Sequence, residues 1–150
     1  HQPSYSLLNR WIEKDLTKTL INNGVGCIAF SPLAQGFLSN KYLSGIPKGT
    51  RVSENSSFDK SLITKSNTRT INDLNLIAKK RGQSLSQMAL AWVLNNKAVT
   101  SALIGVRTTQ QLKENIEALK NLKFSKSELT EISKKAREGN INLWSPSSAH

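Results

Sequence analysis

The chain holds one cysteine, Cys27, one methionine, and two histidines, His1 and His150, both at its ends. A single thiol excludes a disulfide framework, and a lone cysteine inside an apolar run serves packing rather than chemistry. No metal site is expected. Acidic residues are also scarce, 10 Asp and Glu against 21 Lys and Arg, which leaves a formal net charge of +11. Such an excess can mark a nucleic-acid partner when the cations cluster. Here they are scattered. Lys79, Lys80 and Arg81 close a predicted helix, where cations complement the dipole, and Lys113, Lys120, Lys123, Lys126, Lys134 and Lys135 fall on polar faces of later helices. A solvated basic surface with no nucleic-acid partner is the expectation. Long apolar runs are missing too, since nothing approaches the roughly 18 to 20 residues of a membrane span. No signal-like segment opens these residues, so a cytoplasmic protein away from membranes is expected.

What is present fits one ordinary domain, with 37% hydrophobic and 21% charged residues over 150 positions. An apolar stripe of Trp11, Ile12, Leu16 and Leu20 predicts a helix over 9–22, stopped by Gly24. A buried strand follows over 25–30. Ile71, Leu74, Ile77 and Ala78 then mark a helix over 67–81, again ended by a glycine, Gly82. Ser84 with Gln87 forms a capping-box pattern ahead of a strongly apolar helix from Leu85 to Leu94. A second buried strand is expected over 100–106. Thr108 or Thr109 then caps a helix carrying Leu112, Ile116 and Leu119. Ser125 with Glu128 makes another capping box before a last helix with Leu129 and Ile132. Residues 140–150 show no periodicity and read as a tail.

Strands separated by helices imply parallel pairing, so the class is α/β. Only two full strands are visible, fewer than a parallel sheet needs. The chain, opening on His1-Gln2-Pro3, is expected to be the later part of something larger.

Residues 26–51 carry most of the functional information. A short strand ends in an aromatic ring, Phe30, and is stopped by Ser31-Pro32, because proline cannot donate to a sheet ladder. Chemistry on barrels and doubly wound sheets gathers at such ends. The loop then offers the Ser31 hydroxyl, backbone amides around Leu33 to Gly36, the Lys41 amine and the Arg51 guanidinium. Such a set suits a flat ring joined to phosphates.

Together these residues resemble the C-terminal half of an aldo-keto reductase. Gln2-x-x-Tyr5, Gly24-Val25-Gly26, Phe30-Ser31-Pro32-Leu33-Ala34-x-Gly36, Lys41-Tyr42, Gly45-Ile46-Pro47 and Arg51 fit the family pattern. Ser86-Gln87-Met88-Ala89-Leu90-Ala91-Trp92-Val93-Leu94, Ile104-Gly105-Val106 and Gln111-Leu112-x-Glu114-Asn115 follow in the same order. The pattern is similar to the branch of L-glyceraldehyde 3-phosphate reductases and potassium-channel beta subunits. The resemblance implies an incomplete (β/α)8 TIM barrel, about strands 7 and 8 with their helices, over 1–139, followed by the tail 140–150.

It also implies NADP(H) as cofactor. Gln2 would hold the nicotinamide carboxamide and Phe30 would stack on the nicotinamide ring. Ser31, Leu33, Gln35 and Gly36 would cradle the pyrophosphate, with Lys41 and Arg51 as basic contacts. Arg107, Gln111, Glu114 and Asn115 would hold the adenosine 2'-phosphate and the adenine. Arg107 stands where this branch has a small hydroxyl residue, and Gln35 replaces a small residue. Taken singly, Phe30 reads as a core aromatic, Lys41 and Arg51 as loop charges, and the 111–115 residues as a polar helix face. Their joint order carries the assignment.

The implied reaction is reduction of a small carbonyl substrate by hydride from NADPH, in the full-length protein. Its tyrosine, lysine, aspartate and histidine belong to the first half of the barrel, so no catalytic residue is assigned. Neither Tyr5 nor Tyr42 matches the acid. Trp144 in the tail is either a substrate-pocket wall or a surface aromatic. The alternatives are a non-catalytic NADPH-binding regulatory module like the channel beta subunits, and a basic nucleic-acid binder. Association into a homo-oligomer is compatible with the sequence.

Overall fold

The computed structural model describes residues 1–43 and 63–136. Arg51, Gly45-Ile46-Pro47, Trp144 and the tail 140–150 lie outside the described residues. Helix α1 (Leu16–Asn22) leads to strand β1 (Cys27–Phe30). Helices α2 (Lys65–Lys80) and α3 (Leu85–Leu94) then precede strand β2 (Val99–Leu103), and α4 (Thr109–Ile116) and α5 (Lys126–Lys135) close the order. β1 and β2 pair in parallel, with the α2 and α3 helices in the crossover.

A third parallel lane lies on the other side of β1. The carbonyls of His1 and Pro3 accept from the amides of Ile28 and Phe30 at 2.9 and 3.0 Å, and the Tyr5 amide donates to the Phe30 carbonyl at 3.1 Å. Ser4 bridges Phe30 in parallel register. The sequence predicted two strands; the pairing makes three lanes with β1 in the middle. Gln-Pro-Ser-Tyr has no alternation to announce a strand, and only the long-range ladder defines it.

Register between the two strands shifts once. Cys27 faces Val99, but Ile28 faces Ser101, so Thr100 is an extra residue on β2. Its hydroxyl accepts from the Cys27 amide at 3.2 Å. A Cβ on Gly26 would meet that same hydroxyl oxygen at 3.1 Å, a tight approach that glycine avoids.

The core lies on one face of this sheet. Cys27 and Ala29 are fully buried while Ile28 is exposed, the alternation of strands covered on a single side. Burial pushes the Cys27 thiol pKa up, as expected of a packing cysteine. Ile71, Leu74, Ile77 and Ala78 of α2 and nearly all of α3 fill the helical layer, with Ile132 of α5 against them. Each such Leu or Ile contributes about 2 kcal/mol of transfer free energy. Both predicted capping boxes form: Ser84 with Gln87, and Ser125 with Glu128.

Three expectations are corrected. The helix over 9–22 is broken, because Ser6 and Asn9 exchange backbone hydrogen bonds in a tight turn, and Trp11–Glu13 forms only a 3-10 turn before α1. The strand over 100–106 starts at Val99 and ends at Leu103, leaving 104–106 as a loop. The third concerns Leu112, Ile116 and Leu119. They form the predicted stripe on α4 and its 3-10 extension, yet all three are exposed, Leu119 at 57%. Periodicity identified the helix and its apolar face, and among the described residues nothing covers that face.

Arg81 is also unlike its neighbours Lys79 and Lys80. Its side chain is 3% exposed and pairs with Glu128 at 2.6 Å. It donates further to Gln83 Oε1 and to the carbonyls of Asn121 and Lys123, and it lies 3.7 Å over the Phe124 ring. The end of α2 is thereby tied to the start of α5. Tyr5 is equally committed: its hydroxyl donates to Glu13 at 2.8 Å and accepts from Asn96 at 3.1 Å, while its ring lies 5.2 Å from Trp92. Burial foremost holds its pKa far above the usual phenol range, which suits a structural role. Among the described residues no helix is long and apolar enough to cross a membrane.

Candidate cofactor cleft

A cleft of about 680 Å³ opens where β1 and β2 both end. That volume is in the range of small-molecule and cofactor sites, roughly 300 to 1,000 Å³. One wall is Phe30 and the turn after it; the other is Leu103, the 104–107 loop and the first turns of α4.

The turn after β1 is unusual in its backbone. Ser31, Ala34 and Gln35 have φ of 52°, 47° and 58°, and Gly36 has φ of 93°. Left-handed conformation costs an ordinary residue about 1 kcal/mol or more, so three in five positions are held by their surroundings. Internal hydrogen bonds provide part of that hold. The amides of Ala34 and Gly36 donate to the carbonyls of Ser31 and Leu33, both at 2.9 Å, and the Ser39 hydroxyl donates to the Gly36 carbonyl at 2.6 Å. The Ala34 and Gly36 amides therefore serve the turn itself. Gly36 is required by its φ, and among the described residues a Cβ there would meet no atom within 4 Å.

On the opposite wall, Thr108 caps α4 by accepting from the Gln111 amide at 3.2 Å. The Gln111 side chain accepts in turn from the Arg107 amide at 2.8 Å. This reciprocal pair fixes the loop that presents Arg107 at the N-terminus of α4, where backbone N–H groups favour an anion.

Every described residue assigned from the sequence lines this cleft except Gln2. Phe30, Ser31, Leu33, Gln35, Gly36 and Lys41 come from the β1 side, and Arg107, Gln111, Glu114 and Asn115 from the β2 side. Gln2 is exposed on the first lane beside β1 and is not among the lining residues. Sequence reasoning did not assign Ser39, Asn40, Tyr42 and Ser86, which line it too. Ser86 gave no signal of its own, sitting in a capped helical turn. The Ile104-Gly105-Val106 segment was legible as a motif, but its place in the cleft wall was not.

The donor set fits a dinucleotide phosphate. Lys41 and Arg107 supply cations from the two walls, Phe30 supplies a flat apolar face, and Gly36 leaves room for close approach. Among the described residues no group of three or more His, Cys, Asp or Glu could hold a metal ion.

Comparison with known proteins identifies the family. A family model described as the aldo/keto reductase family matches residues 1–137. The chain is 50% identical to the L-glyceraldehyde 3-phosphate reductases of Escherichia coli O157:H7 and strain K12, over 99% of its own length and 44% of theirs. It is 37% identical to a putative voltage-gated potassium channel subunit beta of Schizosaccharomyces pombe, over 79% of the chain and 36% of that protein. Among solved structures, a glycerol dehydrogenase from Gluconobacter oxydans superposes with a TM-score of 0.72 at 25% identity, over 89% of the chain and 40% of that structure. A thermostable aldo-keto reductase bound to the inhibitor epalrestat gives 0.61 at 27%, over 89% of the chain and 38% of that structure. The chain thus spans less than half the length of these relatives. With the family model matched over nearly its whole length, the chain belongs to the aldo/keto reductase family.

Proposed function

We propose that these residues are the NADP(H)-holding C-terminal part of an aldo-keto reductase barrel, carrying about strands 7 and 8, whose full-length protein reduces a small aldehyde or ketone. The observation that carries this reading is the convergence of residues from two separate sequence segments, 30–41 and 107–115, on one cleft at the strand ends. When bound, NADPH supplies the hydride. Phe30 offers the ring face that excludes water and orients the nicotinamide, and Gln2 would reach it from the adjacent lane. Ser31, Leu33, Gln35, Gly36, Lys41 and Arg51 hold the pyrophosphate. Arg107 with Gln111, Glu114 and Asn115 holds the 2'-phosphate and adenine end, which favours NADP over NAD. The resemblance puts the proton donor elsewhere in the barrel: Tyr5 is held by Glu13 and Asn96, and Tyr42, though it lines the cleft, is buried with its ring stacked on Phe37 and does not match the family's acid. The reductase reading is preferred to a regulatory module because the reductase relatives share 50% identity against 37% for the channel subunit. A cytoplasmic location and a possible homo-oligomer accompany the proposal.

Titration of the chain with NADPH and NADH, followed by cofactor fluorescence, tests it. Saturable NADPH binding, weaker for NADH and weakened by Arg107→Ala, is expected. A folded chain with no affinity for either nucleotide would overturn it.

A further inference from the structure

We infer that Gln87, which does not line the cleft, is a positioning residue that sets the Glu114-Asn115 wall and through it the affinity of the adenosine end. The inference rests on the cofactor reading above. Gln87 is the N3 residue of α3, and both ends of its amide are committed. Its Oε1 accepts from the Ser84 amide at 2.9 Å, which is the ordinary return half of a capping box. Its Nε2 does something a capping box does not require: it donates to the Glu114 carbonyl at 3.1 Å.

The accepting carbonyl is well chosen. Glu114 lies in the last turn of α4, where carbonyls have no partner within the helix, and the capping amide of Glu117 goes to Lys113 and Asn115 instead. One side chain thus joins the first turn of α3 to the last turn of α4. Ser86, next to Gln87 in sequence, lines the cleft together with the same two residues, so the link joins two elements that both border it. Glu114 and Asn115 are assigned here to the 2'-phosphate and adenine end, and a shift of that turn would misplace them without touching the nicotinamide end. The fixed amide also means that glutamate is not a conservative replacement. A carboxylate at 87 keeps the acceptor for Ser84 but faces the Glu114 carbonyl with oxygen instead of N–H.

The test measures the chain's affinity for NADPH and for adenosine 2',5'-bisphosphate, a probe of the adenosine end alone, in Gln87→Glu and Ser84→Ala. Ser84→Ala removes the other half of the capping box and leaves the link to Glu114 intact. Gln87→Glu is expected to weaken both ligands by the same factor, about tenfold. Ser84→Ala should lower the melting temperature and leave both affinities unchanged. Should Gln87→Glu not fold, Gln87→Met removes the link without placing a charge there and is compared with Ser84→Ala in the same way. Equal affinities in the wild type and the folded Gln87 variant, or equal losses in the Ser84 variant, would sink the inference. Failure of the wild type to bind NADPH would instead sink the cofactor reading itself.

Discussion

The turn after β1 and the Arg81 junction treat polar groups in opposite ways. In the turn, Ser31, Ala34 and Gln35 hold left-handed backbone and border a cleft. At the junction, one buried guanidinium has an ionic partner, two carbonyls, a side-chain amide and an aromatic face. Strain gathers at the cleft, and satisfied hydrogen bonding gathers where helices must be held together. The proposed nucleotide affinity and the stability of the fold should therefore respond to different residues.

The largest effect should come from Arg81→Ala. It strips partners from two carbonyls and Glu128 at once, and about 3 kcal/mol of stability should be lost in urea unfolding. Nucleotide affinity of the remaining folded protein should hardly move; a parallel loss of affinity would break the separation. Phe30→Ala is the converse, lowering NADPH affinity by about tenfold or more while changing the melting temperature less than Arg81→Ala does. Next is the strain itself. Gly36→Ala should cost about 1 kcal/mol through φ, since among the described residues nothing crowds its Cβ. Gln35→Gly should raise stability by about 0.5 kcal/mol, and a loss on that substitution would show that the Gln35 conformation is not strained.

The smallest effect is one of pH. The Ser125 amide above all, with the Ser125 hydroxyl and Arg81 after it, holds the Glu128 carboxyl below its usual 4.5 despite an opposing effect of burial. A depressed carboxyl stabilises the fold fully above its unfolded pKa and loses that contribution as pH falls through the folded value. Melting temperature should therefore fall more steeply below about pH 4.5 in the wild type than in Glu128→Gln.

Much of this was readable beforehand, for reasons that differ by residue. Local signals survived: Ser84 with Gln87 and Ser125 with Glu128 formed their boxes because capping depends on three residues' spacing and little else. The stripe of Ile71, Leu74 and Ile77 was buried as its period required. What depends on distant partners was not legible. Residues 1–5 become a strand lane only through their pairing with β1, and the Arg81 side chain is buried only because Glu128 arrives from α5 and Phe124 from the segment before it. Leu112, Ile116 and Leu119 had the right period and still lie exposed, since a stripe says which face is apolar and not what covers it. The cleft was assembled from family resemblance in residues 30–41 and 107–115, and no periodicity links those two segments.

The extra residue at Thr100 acts as an indexing notch. Were Thr100 paired in the ladder instead of bulged out of it, Phe30 would stand opposite Ala102 rather than Leu103, and alternate side chains would change faces. Phe30 and Leu103 both line the cleft because that offset was introduced near the other end of the ladder, where the Cys27 amide meets the Thr100 hydroxyl. The aim of the cleft wall is set from the foot of the sheet. A Thr100 deletion would leave Phe30 opposite Leu103 in an unbroken ladder while removing the hydroxyl that the Cys27 amide meets.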